Sequence, residues 1–232
     1  MLGYRARVFI GHFGVGFASK RAAPQASLGV LMAAPLLLDL LWPIALLLGL
    51  ERVRIDPGNT VVTPLDFEYY PYTHSLVMAV VWSVLLGGGY LATTRDRRAA
   101  LVIGLGVFSH WVLDWVVHRP DLPLFPGSST YAGLGLWNSR AATMAVEIPI
   151  FVWGVALYAR STEARNRAGI VALWALVLLL GAIYFANLFG PPPPSSLGIA
   201  ITALAMWLFV PWAWWIDKNR KVDPRLSSGL GR

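Results

Sequence analysis

Residues 99–117 read AALVIGLGVFSHWVLDWVV, an apolar run that contains two ionisable side chains, His110 and Asp114. About 20 apolar residues are enough to cross the hydrocarbon core of a bilayer as a helix. Ionisable groups in such a segment are energetically costly, and they are usually paired with one another and retained for function. The stretch therefore predicts a transmembrane helix that contributes polar groups to a site inside a helical bundle.

Five further segments have the same apolar character. The chain of 232 residues is 56% hydrophobic and 13% charged, whereas soluble domains contain about 25% charged residues. This composition predicts an all-α polytopic membrane bundle of about six transmembrane helices plus a short N-terminal helix. The expected spans run approximately over Leu28–Leu50, His74–Thr93, Ala99–His118, Ala141–Ala159, Ala168–Leu188 and Leu197–Ile216.

The bundle is expected to form a single domain. We place this transmembrane domain at residues 1–218, with the motif-bearing part at about 8–126, accessory spans at 141–216 and a polar cytoplasmic tail at 219–232. Arg5 and Arg7 precede an apolar stretch at residues 8–18 that loosely resembles a signal peptide, but the context for cleavage is poor. We expect this stretch to be a retained helix that lies at the interface or dips part-way into the bundle. The chain has no cysteine, which excludes disulfides and thiol chemistry.

The basic residues indicate how the chain is oriented. The formal net charge is +7. If the N-terminus is cytoplasmic, 15 of the 19 lysine and arginine residues lie on the cytoplasmic side, and only Arg52, Arg54, Arg119 and Arg140 lie outside. The positive-inside rule therefore predicts that both termini are cytoplasmic. Topology and attraction to anionic membrane lipids explain the positive charge, so we expect no nucleic-acid partner.

His110, Asp114 and His118 follow one another at four-residue steps. A helix turns by 100° per residue, so these side chains drift by about 40° per step and share one face. Two ligands at positions i and i+4 can hold one metal ion, and imidazole with carboxylate suits zinc, iron or manganese. The spacing predicts a divalent metal site.

Other ionisable residues fall at similar depths in the predicted bundle. Counted at about 1.5 Å per residue from the outer end of each span, the depths are about 0 Å for His74 and His118, about 6 Å for Asp114, about 10 Å for Glu147, about 12 Å for His110 and about 16 Å for Asp39. Groups from four helices thus occupy the outer half of the membrane. This clustering predicts one shared polar site.

Simpler structural roles are open for some of these residues. His118 lies at a helix end, where an interfacial histidine is common. His74 could begin a helix with Thr73 as its N-cap, and Glu147 could pair with Arg140. The two mid-span aspartates have no such explanation, because an unpaired carboxylate at that depth is costly.

Four short motifs occur in order along the first half of the chain. They are Gly11-His12, the run Leu36-Leu37-Leu38-Asp39 followed by Pro43, Thr73-His74-Ser75, and Ser109-His110 followed by Asp114. Together they resemble the LexA-binding, inner-membrane-associated hydrolase family, described as membrane-bound metal-dependent hydrolases. The resemblance covers about residues 8–126. It implies a bacterial inner-membrane location and a distant similarity to zinc-dependent phospholipase C and P1-type nucleases.

The resemblance also implies which residues hold the metal and favours zinc, with manganese or iron as alternatives. It assigns as ligands His12, Asp39, His74, His110 and Asp114. The sequence departs from the family pattern at two places: Leu41 replaces a second acid, and residues 70–72 replace a usual His-Arg pair. Both departures remove polar groups and weaken the case for a multinuclear centre. Glu147 or Glu68 could replace the missing acid.

Three functions are consistent with these features. The preferred hypothesis is a membrane-embedded hydrolase in which the metal activates a water and Asp39 or Glu147 acts as general base. Its substrate would be a phosphoester or a lipid-like small molecule, and membrane lipids would be its neighbours. A proton or ion transporter and a non-catalytic accessory subunit are the alternatives. The one-sided position of the ionisable groups argues against a path across the membrane.

Overall fold

The six predicted spans are confirmed in the computed structural model, which describes residues 10–224. The helices are α1 (Ile10–Ala22), α2 (Leu28–Leu47), α3 (Pro71–His74), α4 (Leu76–Thr94), α5 (Arg97–Val117), α6 (Arg140–Ser161), α7 (Arg167–Phe189), α8 (Ser196–Leu204) and α9 (Phe209–Lys218). A 3-10 turn at Ala205–Leu208 joins α8 to α9, and these three segments form the last span. The protein is therefore an all-α polytopic membrane bundle.

Three short antiparallel strand pairs connect the helices. They are β1 (Arg52–Ile55) with β2 (Leu65–Tyr69), β3 (Leu122–Pro123) with β4 (Tyr131–Ala132), and β5 (Thr162–Ala164) with β6 (Arg220–Val222). The last pair shows that the polar tail begins with an ordered strand. The rest of that predicted tail, residues 225–232, and the predicted cytoplasmic N-terminus, residues 1–9, lie outside the described residues.

Polar side chains mark where the long helices begin. In each case the side chain accepts a hydrogen bond from the backbone N–H three residues later, which satisfies one of the free donors of the first turn. These N-caps are Ser27, Ser75, Asp96, Ser139, Asn166 and Ser195. The cap at Ser75 corrects the prediction that a span begins at His74 with Thr73 as its cap. Ser75 has extended backbone, so His74 ends the separate short helix α3.

Helix α1 lies inside the bundle rather than along the membrane interface. Phe13 and Phe17 are fully buried, and the helix packs against α2, α5 and α6. A glycine pair allows the close crossing of α1 and α6. A Cβ atom on Gly154 would lie 2.0 Å from the carbonyl oxygen of Gly14, and one on Gly14 would lie 2.6 Å from that of Ile150. The absence of both side chains lets the two backbones touch.

A second polar cluster lies at the C-terminal end of α1, away from the predicted site. Lys20 donates to Asp217 Oδ2 at 2.7 Å and to the carbonyl oxygen of Ala26 at 2.9 Å. The hydroxyl of Tyr158 donates to Asp217 Oδ1 at 3.2 Å, and the guanidinium of Arg220 lies over the Tyr158 ring. Lys20 and Asp217 lie outside the spans predicted from the sequence, and their pairing was not predicted. This cluster ties α1 to α6 and α9.

Candidate metal centre

Two imidazole nitrogens and two carboxylate oxygens meet between α2, α3 and α5. The Nε2 atoms of His74 and His110 lie 3.3 Å apart. Asp114 Oδ2 lies 3.1 Å from His110 Nε2 and 3.8 Å from His74 Nε2. Asp39 Oδ1 lies 3.5 Å from His74 Nε2 and 3.9 Å from His110 Nε2. The structure therefore brings together four of the side chains that the sequence predicted as ligands.

These separations suit a small divalent cation. Metal–ligand bonds of about 2.0–2.2 Å in a tetrahedral site place the ligand atoms about 3.3–3.6 Å from one another. The five separations above run from 3.1 to 3.9 Å and bracket this range. Imidazole and carboxylate donors are also the set that zinc, manganese and iron accept. The donor atoms of Asp39, His74 and His110, which form one group, thus suit the predicted metal in type and approach this spacing.

Helix α2 holds His110 in one orientation. The Nδ1 atom of His110 lies 2.8 Å from the carbonyl oxygen of Pro35. Because a carbonyl only accepts, Nδ1 carries a hydrogen, and the neutral ring would present the lone pair of Nε2 to the cluster. Histidine ligands usually donate their second ring N–H to a carbonyl or carboxylate in this way. His110 therefore offers one coordinating nitrogen.

His12 reaches the cluster through the other oxygen of Asp114. Its Nε2 atom lies 3.2 Å from Asp114 Oδ1, and its ring stacks on the His110 ring at a centroid distance of 4.1 Å. His12, His110 and Asp114 form one group of ligand atoms, and Asp39, His74 and His110 form another. Both groups need the single available nitrogen of His110. This sharing favours one ion, with His12 as a partner of Asp114.

A small cavity of about 30 Å³ adjoins the cluster. A buried water needs about 10–15 Å³ of such space, so the cavity has room for one or two waters. It is lined by Asp39, Trp42, Leu65, Phe67, His74, Asp114, His118, Ile199, Ala203 and Met206. The three histidines of the cluster and Asp114 are buried, whereas the Asp39 side chain is 17% exposed. Asp39 is thus the most accessible member of the cluster.

A sequence model of the YdjM inner membrane protein family matches residues 71–189, just over half of the chain. The chain belongs to this family. It is therefore a multi-pass inner-membrane protein. No curated protein and no solved structure matches the chain.

The YdjM match covers only part of the candidate metal centre. His74, His110 and Asp114 lie within the matched residues, whereas His12 and Asp39 lie before them. Of these two predicted ligands, His12 was assigned by the family resemblance, and Asp39 was also singled out as an acid within the apolar run Leu28–Leu50. The family supports the membrane location, and the geometry alone supports the metal.

His118 of this YdjM-family chain is not in either group of ligand atoms. Helix α5 ends at Val117 and His118 has extended backbone, so His118 leaves the stripe that the four-residue spacing predicted. Its Nδ1 atom lies 2.9 Å from Asp121 Oδ1, and the Tyr70 hydroxyl donates to the same oxygen at 3.1 Å. Burial and the Asp121 carboxylate raise the pKa of Tyr70 well above its ordinary value. His118 borders the cavity, and its role as a ligand stays a prediction.

Glu147 lies on α6. It is 4% exposed, its carboxyl group faces the Tyr184 hydroxyl, and it is not among the residues that line the cavity. The expected pairing with Arg140 is not found among the described residues, because Arg140 donates through Nε to the carbonyl oxygen of Leu188 at 3.1 Å. A catalytic role for Glu147 stays a prediction.

The acid that approaches the centre from the outer loop is Glu51, which the sequence analysis did not single out. Glu51 is 2% exposed, and its carboxylate accepts hydrogen bonds from Tyr72 and Thr73 beside His74. Glu68, the predicted substitute acid, pairs instead with Arg54 at 3.0 Å and is largely exposed. The signal for Glu51 was its position directly after an apolar run, where a buried acid is unusual.

Proposed function

We propose that this protein is a metal-dependent hydrolase embedded in the inner membrane. The observation that carries the proposal is the close approach of His74, His110, Asp39 and Asp114, whose ligand atoms belong to two groups that share His110. Buried acids and imidazoles in a membrane bundle are costly unless they are paired or perform a function. The His74 and His110 Nε2 atoms are 3.3 Å apart, and a cation between them satisfies both nitrogens.

The residues around the cavity support hydrolysis. When bound, a divalent ion such as zinc would lower the pKa of a water ligand to about 7, which would supply hydroxide at neutral pH. Asp39 faces the cavity, so its carboxylate is the preferred base that orients the water and accepts its proton. His12 and the Pro35 carbonyl hold Asp114 and His110 in place. Glu147 lies farther from the cavity and is the second choice of base.

The wall of the cavity supports an apolar, lipid-like substrate. Its side chains include Trp42 from α2, Phe67 from β2, Ile199 from α8 and Met206 from the 3-10 turn. These groups offer contact to an acyl chain but no cation for a multiply charged headgroup. We therefore infer that the scissile ester or phosphoester approaches Asp39 while the apolar part of the substrate contacts this wall.

A transport function has less support. On α1, Phe13 and Phe17 lie between His12 and Lys20. On α6, Phe151 and Val155 lie between Glu147 and Tyr158. These four apolar residues are buried, and the rings of Phe17 and Phe151 are in contact. An ion path requires polar groups or water along its length. The apolar layer separates the two polar clusters.

Metal content and hydrolysis of the purified full-length protein test the proposal. We expect close to one equivalent of zinc or manganese in detergent-solubilised protein, and loss of that metal in His110→Ala and Asp114→Asn. Glu68→Gln is the matched control, because Glu68 is an exposed acid outside the centre. Hydrolysis of a phospholipid or a generic phosphodiester should disappear in the same two variants and in Asp39→Asn.

Two outcomes would overturn the proposal. A metal-free protein whose thermal stability does not change in chelator supports a non-catalytic accessory subunit. Retained metal with no hydrolysis, together with metal or proton uptake into proteoliposomes, supports a transporter.

A further inference from the structure

A chain of three side chains leads away from the metal centre toward the outer loop. His74 Nδ1 lies 2.7 Å from Thr73 Oγ1, and Thr73 Oγ1 lies 2.7 Å from Glu51 Oε2. Glu51 Oε1 accepts the backbone N–H groups of Tyr72 and Thr73, each at 2.9 Å. The three residues are buried, so these contacts are shielded from water.

The direction of each hydrogen bond follows from the chemistry of its partners. An ionised carboxylate only accepts, and a hydroxyl has a single hydrogen to donate. Because Glu51 accepts the hydroxyl hydrogen of Thr73, Thr73 Oγ1 must itself accept the Nδ1–H of His74. The remaining nitrogen, His74 Nε2, then keeps a lone pair and points toward His110 and Asp39.

We propose that Glu51 and Thr73 are positioning residues that fix His74 in the tautomer whose Nε2 atom is a metal ligand. This inference rests on the metal centre of the proposed function. The Pro35 carbonyl achieves the same result for His110 with one hydrogen bond. His74 ends a helix of only four residues, so a carboxylate that holds both the Thr73 hydroxyl and two backbone amides supplies the rigidity that α3 lacks.

The Glu51→Gln variant distinguishes this positioning role from a purely structural role of Glu51. The amide of glutamine keeps the size of the side chain, and its carbonyl can still accept from the two backbone N–H groups. Its NH₂ group, however, donates to Thr73 Oγ1. The Thr73 hydroxyl then donates to His74 Nδ1, and the ring hydrogen moves to Nε2, which can no longer bind a metal.

Metal affinity is the first measurement. Partners of this kind typically change metal affinity by about 10–100-fold, and we expect that loss in Glu51→Gln and in Thr73→Val, measured by competition with a chelator. Thr73→Ser should restore the affinity because it restores the hydroxyl. Thr143→Val is the matched control: Thr143 is also fully buried and donates to backbone carbonyls of Leu136 and Ser139, away from the centre.

The tautomer of His74 can be measured without any metal. Ring-nitrogen ¹⁵N chemical shifts of the metal-free protein should show hydrogen on Nδ1 of His74 in the wild type and on Nε2 in Glu51→Gln. Hydrogen on Nε2 in the wild type overturns the inference, as does unchanged affinity in both variants. If the wild type binds no metal but shows the expected tautomers, the proposed function fails while the hydrogen-bond relay stands.

Discussion

The imidazole of His12 lies flat on the ring of His110 and at the same time meets Asp114 Oδ1 at 3.2 Å. His12 belongs to α1, whereas His110 and Asp114 belong to α5, so this contact joins the buried N-terminal helix to the metal centre. If His12 supports Asp114 rather than binding a second ion, His12→Ala should keep one metal per chain but weaken its affinity by about 10–100-fold. Metal analysis and chelator competition give both quantities.

A different metal content would contradict this supporting role of His12. A wild-type content of two ions that falls to one in His12→Ala would contradict the assignment and would make His12 a ligand of a second centre. His118→Ala is a useful companion variant, because His118 borders the cavity but belongs to neither group of ligand atoms. We expect it to retain the metal.

Gly154→Ala should separate α1 from α6. Its Cβ atom would lie 2.0 Å from the Gly14 carbonyl oxygen, and overpacking of this kind costs about 1–3 kcal/mol of folding free energy. We expect a lower unfolding temperature in detergent and, because α1 carries His12, weaker metal binding. Gly88→Ala is the control: a Cβ atom there meets nothing within 4 Å, and alanine is the better helix former. Equal behaviour of the two variants would contradict the close crossing.

Lys20→Met should destabilise the fold by leaving Asp217 without its buried partner. Breaking a buried ion pair typically costs about 3–5 kcal/mol, and the Tyr158 hydroxyl that remains on Asp217 favours the lower end. The double variant Lys20→Met/Asp217→Leu should recover part of this loss in thermal unfolding. Lys221→Met removes an exposed pair with Glu163 and should change little. A double variant no more stable than Lys20→Met would show that the pair is not the cause.

Ala203→Phe should block the cavity without removing a ligand. Ala203 is 4% exposed and lines the cavity beside the centre, so a larger side chain fills the space available to water. We expect hydrolysis to fall at least tenfold while the metal content stays unchanged. Ile201→Phe, on the exposed face of the same helix, should leave both unchanged. Loss of metal in Ala203→Phe would instead indicate that the centre had been distorted.

The spans could be predicted because an apolar run of about 20 residues has few alternatives to a transmembrane helix. The interior position of α1 could not, since it depends on Gly14 meeting Gly154, a contact between residues far apart in the chain. The break at Ser75 was also missed. Polar residues that cap helices are common in any chain, and only the structure shows which of two neighbouring ones, Thr73 or Ser75, accepts the helix N–H.

The grouping of acids and imidazoles at the candidate centre could be predicted because such groups within apolar runs are costly, which separates Asp39 and Asp114 from ordinary surface residues. Glu51 was missed because its burial comes from the loop that folds over it and not from its own segment. His118 stays a predicted ligand and lies outside both groups of ligand atoms. Helical spacing predicts that His118 lies one turn after Asp114 on the same face of α5, but α5 ends at Val117, one residue before His118.

The glycine crossing also has a consequence for how the protein is made. Gly14 leaves the ribosome long before Gly154, so α1 cannot occupy its final place until α6 has been synthesised and inserted. The final packing of α1, which carries His12, is therefore a late event in biogenesis that follows the insertion of α6.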